Sequence, residues 1–97
     1  EPFLIDNHPP HIPDLRVQSG RISGRARDDQ GPISKLEYSV DGIDWKLMAA
    51  DDGLLDSSDE AFSLALDQLP KGPHTVMIRV SDARANTSTR EIDVVAP

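Results

Sequence analysis

Turn-forming residues interrupt this chain so often that no segment between them leaves room for a long helix. Ser19-Gly20, Asp28-Asp29-Gln30-Gly31-Pro32, Asp41-Gly42, Pro70-Lys71-Gly72-Pro73 and Asp82–Asn86 all carry loop chemistry. The runs between them alternate in polarity. In His74–Ser81 the side chains of His74, Val76, Ile78 and Val80 share one face. Ile22, Gly24 and Ala26 do the same in Arg21–Arg27, as do Leu36, Tyr38 and Val40 in Lys35–Val40, and Ile92 and Val94 in Thr87–Val95. A period of two is the mark of a strand with one buried face. Asp41-Gly42 between two such runs supplies the positive-φ positions of a tight hairpin leading to Trp45-Lys46-Leu47. About seven short strands, with turns roughly every 8–12 residues, predict an all-β fold: a seven-stranded antiparallel sandwich. Its expected interior is Leu15, Val17, Ile22, Leu36, Tyr38, Val40, Phe62, Leu64, Leu66, Val76, Ile78, Val80, Ile92 and Val94.

One segment reads two ways. Across Ala61–Leu69, Phe62, Leu64 and Leu66 alternate as in a strand, while Phe62, Ala65, Leu66 and Leu69 fit one face of a helix that Ser57 and Glu60 would cap. The neighbouring strands and the abrupt stop at Pro70–Pro73 favour the strand. Residues 1–13 hold four prolines and read as an extended lead-in, although Phe3, Leu4 and Ile5 are apolar for a linker. The sandwich is expected over residues 14–97. With Glu1 in the first position and no signal-peptide pattern, the chain reads as a piece of a larger polypeptide.

Composition narrows the function classes. Ten basic residues against 17 acidic give a net charge of −7, which disfavours nucleic acid and anionic membrane surfaces as partners. No apolar run is long enough to insert in a bilayer. The absence of Cys removes disulfides, thiolate metal sites and cysteine nucleophiles. In 97 residues a single core forms readily, but a deep catalytic cleft does not.

The run Leu36-Glu37-Tyr38-Ser39-Val40-Asp41-Gly42-Ile43-Asp44-Trp45 resembles the hairpin of bacterial immunoglobulin-like modules. Leu69–Asp82 is similar to their strand of the form L-x-x-G-x-H/Y-T-v-x-v-R-v-x-D, and Asp6-Asn7-His8-Pro9-Pro10 to the lead-in between their tandem copies. The chain thus looks like an immunoglobulin-like or fibronectin type III-like module over residues 6–95. Two positions depart from the pattern. His74 stands at the corner where relatives often carry Tyr, and Ala85 stands in the place of a turn Gly, where a left-handed backbone would carry a Cβ cost. The resemblance implies a non-catalytic spacer, cap or docking domain of a secreted or surface protein, in an extracellular, periplasmic or cell-surface location. Its implied partners are neighbouring domains of the same polypeptide, with protein or carbohydrate as further partners.

Chemistry-bearing residues are weighed against that expectation. Asp6, His8 and His11 flank Pro9-Pro10, whose extended backbone separates the two imidazoles, so no metal site is expected there. Asp28, Asp29, Asp51, Asp52, Asp56, Asp59 and Asp82 fall in expected loops but lack the order of a calcium loop, and read as solvated. No nucleophile elbow, zinc helix, phosphate loop or dinucleotide fingerprint is present, so neither catalysis nor a cofactor is expected. Arg21, Arg25 and Arg27, with Arg79 and Arg90, read as exposed strand positions paired with acids. The alternative function is a carbohydrate-binding module stacking sugars on Tyr38 and Trp45, the two candidate contact residues. The competing reading has Trp45 covering one edge of the core. Asn86-Thr87-Ser88 is a formal glycosylation sequon.

Overall fold

A computed structural model of the chain describes residues 10–28, 31–48, 50–51 and 58–97. The lead-in through Pro9, and Asp29, Asp52, Asp56 and the capping Ser57, lie outside the described residues. Among the described residues seven strands follow in order: β1 (His11–Gln18), β2 (Arg21–Arg27), β3 (Ile33–Val40), β4 (Ile43–Leu47), β5 (Asp59–Ala65), β6 (Gly72–Asp82) and β7 (Thr87–Ala96). They form a three-stranded sheet, β1-β2-β5, facing a four-stranded sheet, β4-β3-β6-β7. All pairings are antiparallel. This is an immunoglobulin-like sandwich, with β4 beside β3 rather than beside β5.

The ambiguous segment is a strand. Phe62 and Leu64 of β5 point inward, and the chain then makes one 3-10 turn, Leu66–Gln68, before the corner. Two tight hairpins have positive φ at both central residues: Ser19 (55°) with Gly20 (76°), and Asp41 (55°) with Gly42 (78°). Mirror-type turns of this kind match the strand twist. At the β6–β7 turn Ala85 does adopt the left-handed backbone, at φ 67°. The Asp82 carboxylate holds that turn. Its Oδ1 accepts from the Arg84 and Asn86 N–H groups at 2.8 and 2.9 Å, and its Oδ2 from Asn86 Nδ2 at 3.0 Å. Removing the Cβ relieves about 1–2 kcal/mol of strain, offset in part by the unfolded-state entropy of glycine. Ala85→Gly is therefore expected to raise the unfolding free energy by roughly 0.5–1 kcal/mol in a denaturant titration.

The interior is built from Ile22, Ala26, Phe62 and Leu64 of one sheet and Leu36, Val76, Ile78, Val80 and Val94 of the other. Leu15, Tyr38, Val40 and Ile92 pack against it while partly exposed. Val17 departs from expectation and is 44% exposed. It sits at the hairpin end of an edge strand, and the irregularity between His11 and Asp14 moves the buried position of β1 upstream to Ile12, which is 4% exposed. Pro13 falls inside that irregularity, where an edge strand needs no N–H from it. The first strand therefore starts three residues before the expected domain start at 14. Ile33, Met48, Ala50, Leu69 and Ala96 close the ends of the core.

The gap between the sheets is bridged on one side by β7. Ser88 Oγ donates to the Pro10 carbonyl, and Arg90 Nη1 donates to the Ile12 carbonyl at 2.7 Å. Inward-pointing polar groups at this edge tie β1 to β7 and cap backbone acceptors that would otherwise offer an edge for pairing.

Candidate functional site

Tyr38 and Trp45 do not share a surface. Tyr38 lies opposite Ile78 and Lys46 in the register, on the inner row with Leu36 and Val40. Trp45 precedes Lys46 and falls on the outer face, where the Arg79 guanidinium stands 4.0 Å from its ring centroid. Arg79 Nε also donates to Glu37 Oε1 at 2.9 Å. The three side chains form one outer-face cluster: a cation sandwiched between an indole and a carboxylate. The arrangement occupies one face of the only indole in the chain, and among the described residues no aromatic contact to that ring is found beside the Arg79 one. Trp45 therefore covers the outer surface of the four-stranded sheet rather than an edge of the core.

Tyr38 instead lines a cleft of about 360 Å³ between the β3–β4 hairpin and the corner leading into β6. Val40, Ile43, Leu69 and Pro70 give it an apolar wall, and Asp41, Asp44, Lys46, Gln68 and His74 its polar rim. The β3–β4 hairpin and the chain reversal after Leu69 position these groups, because both turns lie at the same end of the sheet.

His74 joins the two walls. Its Nδ1 is 2.6 Å from Asp41 Oδ2, and its Nε2 is 2.7 Å from the Pro70 carbonyl oxygen. The bond to a backbone carbonyl four residues upstream does the work of the corner tyrosine of immunoglobulin-like domains. Asp41 is held in turn by the Thr75 N–H, which donates to its Oδ1 at 2.9 Å. The Asp41 bond, then the Pro70 carbonyl, raise the His74 pKa above its ordinary value of 6.5 against the opposing effect of burial. The same His74 bond, followed by the Thr75 N–H, lowers the pKa of Asp41. Both ring nitrogens are engaged by protein groups, which leaves neither open to a substrate.

The other sites expected from the sequence separate. Arg25 pairs with Asp59 at 2.9 Å and Arg27 with the same carboxylate at 3.6 Å, while Arg21 donates to Ser63 Oγ. Asp59 is thus part of β5 rather than a loop, and Asp51 accepts from Ser63 Oγ. At the opposite end of the sheet Asp28 and Asp82 are buried together. Burial raises the Asp82 carboxyl, but hydrogen bonds from the Asn86 side chain, the Asn86 and Arg84 N–H groups and Asp28 bring it below the usual range. Among the described residues, no three or more His, Asp or Glu side chains are grouped to hold a metal ion. The sequon's Asn86 amide is committed to Asp82. No helix among the described residues is long and apolar enough to cross a membrane.

The Asp41–His74 contact spans 33 residues and was not foreseen. The signal that could have found it was present: a polar residue in the first turn position facing a histidine in place of the corner Tyr.

No protein-family model matches the chain, and no curated protein does. Among solved structures, the PKD1 domain of Vibrio anguillarum Epp superposes with a TM-score of 0.47 at 21% sequence identity, covering 95% of this chain and 100% of that one.

Proposed function

We propose that this chain is a non-catalytic accessory module of a larger secreted or surface polypeptide, serving as an in-line spacer between neighbouring domains. The path of the backbone is the observation that carries this reading. β1 begins beside the start of β7, where Ser88 bonds Pro10, and β7 ends opposite the start of β6, with Ala96 facing Gly72. The chain enters the sandwich at one pole and leaves at the other. From Ser88 to Ala96 the advance along the sheet is roughly 25 Å at strand rise. Such connectivity extends a polypeptide, whereas ends at one pole would make the domain a side branch. Location outside the cytoplasm, whether extracellular, periplasmic or at the cell surface, belongs to the same proposal.

The test is an exchange in the parent polypeptide. Replacing the module by an unrelated sandwich with ends at opposite poles is expected to preserve the activity of its neighbours. Loss of activity with every such replacement would show that the module contributes a specific contact and would overturn the spacer reading. A glycan array probed with the isolated chain is expected to show no ligand. Binding abolished by Trp45→Ala in a folded variant would overturn the reading in favour of carbohydrate recognition.

A further inference from the structure

His74 is bonded on both sides to groups that only accept. The Pro70 carbonyl has no proton to give, and an ionised Asp41 has none either. A neutral imidazole carries a single N–H, so it would leave one nitrogen lone pair facing an acceptor oxygen at about 2.6–2.7 Å. The imidazolium, with an N–H on each nitrogen, matches both acceptors. The His74 side chain is 12% exposed, and the Asp41 carboxylate that holds it is 43% exposed.

The three bonded groups belong to three separate pieces of the fold: the β3–β4 turn, the corner before β6, and β6 itself. Together they draw the hairpin tip against the corner and close the head of the cleft that Tyr38, Val40, Ile43, Leu69 and Pro70 line. We infer that His74 is a proton-operated latch: the imidazolium pins the β3–β4 hairpin to the corner, and loss of its second proton releases one of the two bonds and opens the cleft. Asp41 keeps its bonds with the Thr75 backbone, the N–H donating to Oδ1 and the Asp41 N–H donating to the Thr75 carbonyl at 2.8 Å. The released motion is therefore a hinge of the hairpin about Thr75 rather than unfolding of the sheet.

The direction of the pH response follows from the two partners. A raised His74 pKa contributes stability that is complete below pH 6.5 and is lost as pH rises through the folded-state value. A lowered Asp41 pKa contributes stability present above pH 3.8 and lost as pH falls through its own folded-state value. The latch is closed between those limits and opens on the alkaline side. Other charged groups share the spaces beside the ring: Asp44 and Lys46 from β4 across the cleft, and Asp93 from β7 on the far side. The carboxylates favour the imidazolium and the lysine opposes it.

The experiment is a nitrogen-15 and proton NMR titration of the unaltered chain from pH 5 to 9. It follows the His74 ring together with the Asp41, Gly42 and Ile43 amides. The expected result is a ring protonated on both nitrogens at pH 6, titrating with a midpoint above 6.5, and hairpin amides that shift with the same midpoint. The chain holds three histidines, so His74→Tyr serves as the comparison. A phenol can keep the Pro70 bond without a proton to lose near neutrality, and the hairpin amides are then expected to hold still. A His74 midpoint at or below 6.5, or hairpin amides that ignore it in the unaltered chain, would overturn the latch. So would amides that still titrate in a folded His74→Tyr variant.

Discussion

Ile78→Ala is expected to lower the unfolding free energy by about 2–5 kcal/mol. Ile78 is fully buried at the middle of β6, with Tyr38 opposite it on one side and Arg90 on the other. Val76 and Val80, its neighbours on the same face, are also 0% exposed. β6 is paired on both edges by β3 and β7, so it cannot shift to fill the space left by the missing side-chain atoms. In a domain of this length each kcal/mol moves the thermal midpoint by roughly 4–8 °C. The variant should therefore melt at least about 8 °C below the parent. Val95→Ala provides the contrast, since Val95 is 71% exposed on the adjacent strand and its truncation is expected to stay within about 0.5 kcal/mol. Equal effects of the two substitutions in thermal unfolding would mean that the inner face of β6 is not the core.

Why β6 was legible and β1 was not is a matter of local against non-local causes. The β6 alternation runs without interruption from His74 to Val80, and Val76, Ile78 and Val80 each face an inward residue of β3. Alternation alone then assigns the face correctly. In β1 the irregularity between His11 and Asp14 breaks the count, so parity read from Leu15 and Val17 misplaces Val17 and misses Ile12. Pro13 looked like linker punctuation, yet on an edge strand it costs no ladder bond. Ile33, Met48, Leu69 and Ala96 were missed for a different reason. Ile33, Met48 and Ala96 lie at or just beyond strand ends and Leu69 caps the 3-10 turn, where burial is decided by which turns close over each pole.

The site shows the same division. Asp41 and His74 were each noticed for a local reason, one as a turn residue and the other as a substitute at the corner. Their contact depends on the β3–β6 register placing Val40 opposite Val76, which brings the hairpin tip over the start of β6. Tyr38 and Trp45 were expected together as the two aromatics of a sugar-stacking surface. Between them lies an irregularity in the β3–β4 register, with Asp44 at φ 33°, and Trp45 ends on the Glu37 and Arg79 face. Residue parity across such a bulge is not conserved, and sequence proximity says nothing about the shared face.

The same register sets up the second large effect, at Gly24. It stands between Leu15 of β1 and Phe62 of β5 on the inner row of the middle strand. A β-carbon there would lie 2.6 Å from Phe62 Cζ and 2.7 Å from the Asp14 carbonyl oxygen. The glycine is needed for space: the Phe62 ring, 1% exposed, rests on the bare backbone of β2. Gly24→Ala must push either that ring or the β1 backbone away. The ring is packed among the core residues and the carbonyl is fixed by the β1–β2 hairpin, so neither gives cheaply. The expected loss is about 1–3 kcal/mol or more by denaturant unfolding. Phe62→Ala alone should cost about 3–5 kcal/mol, through lost burial and the cavity it leaves. Combining the two separates space from every other cause. With the ring gone, the new methyl group enters volume the ring vacated and loses its closest clash, while the contact with the Asp14 oxygen remains. The double variant is therefore expected to be more stable than the sum of the single losses by at least about 0.5 kcal/mol, within the range measured for side chains in direct contact. Strict additivity would show that Gly24 does not owe its place to Phe62, and that the cost of a side chain there arises from the β1 backbone alone.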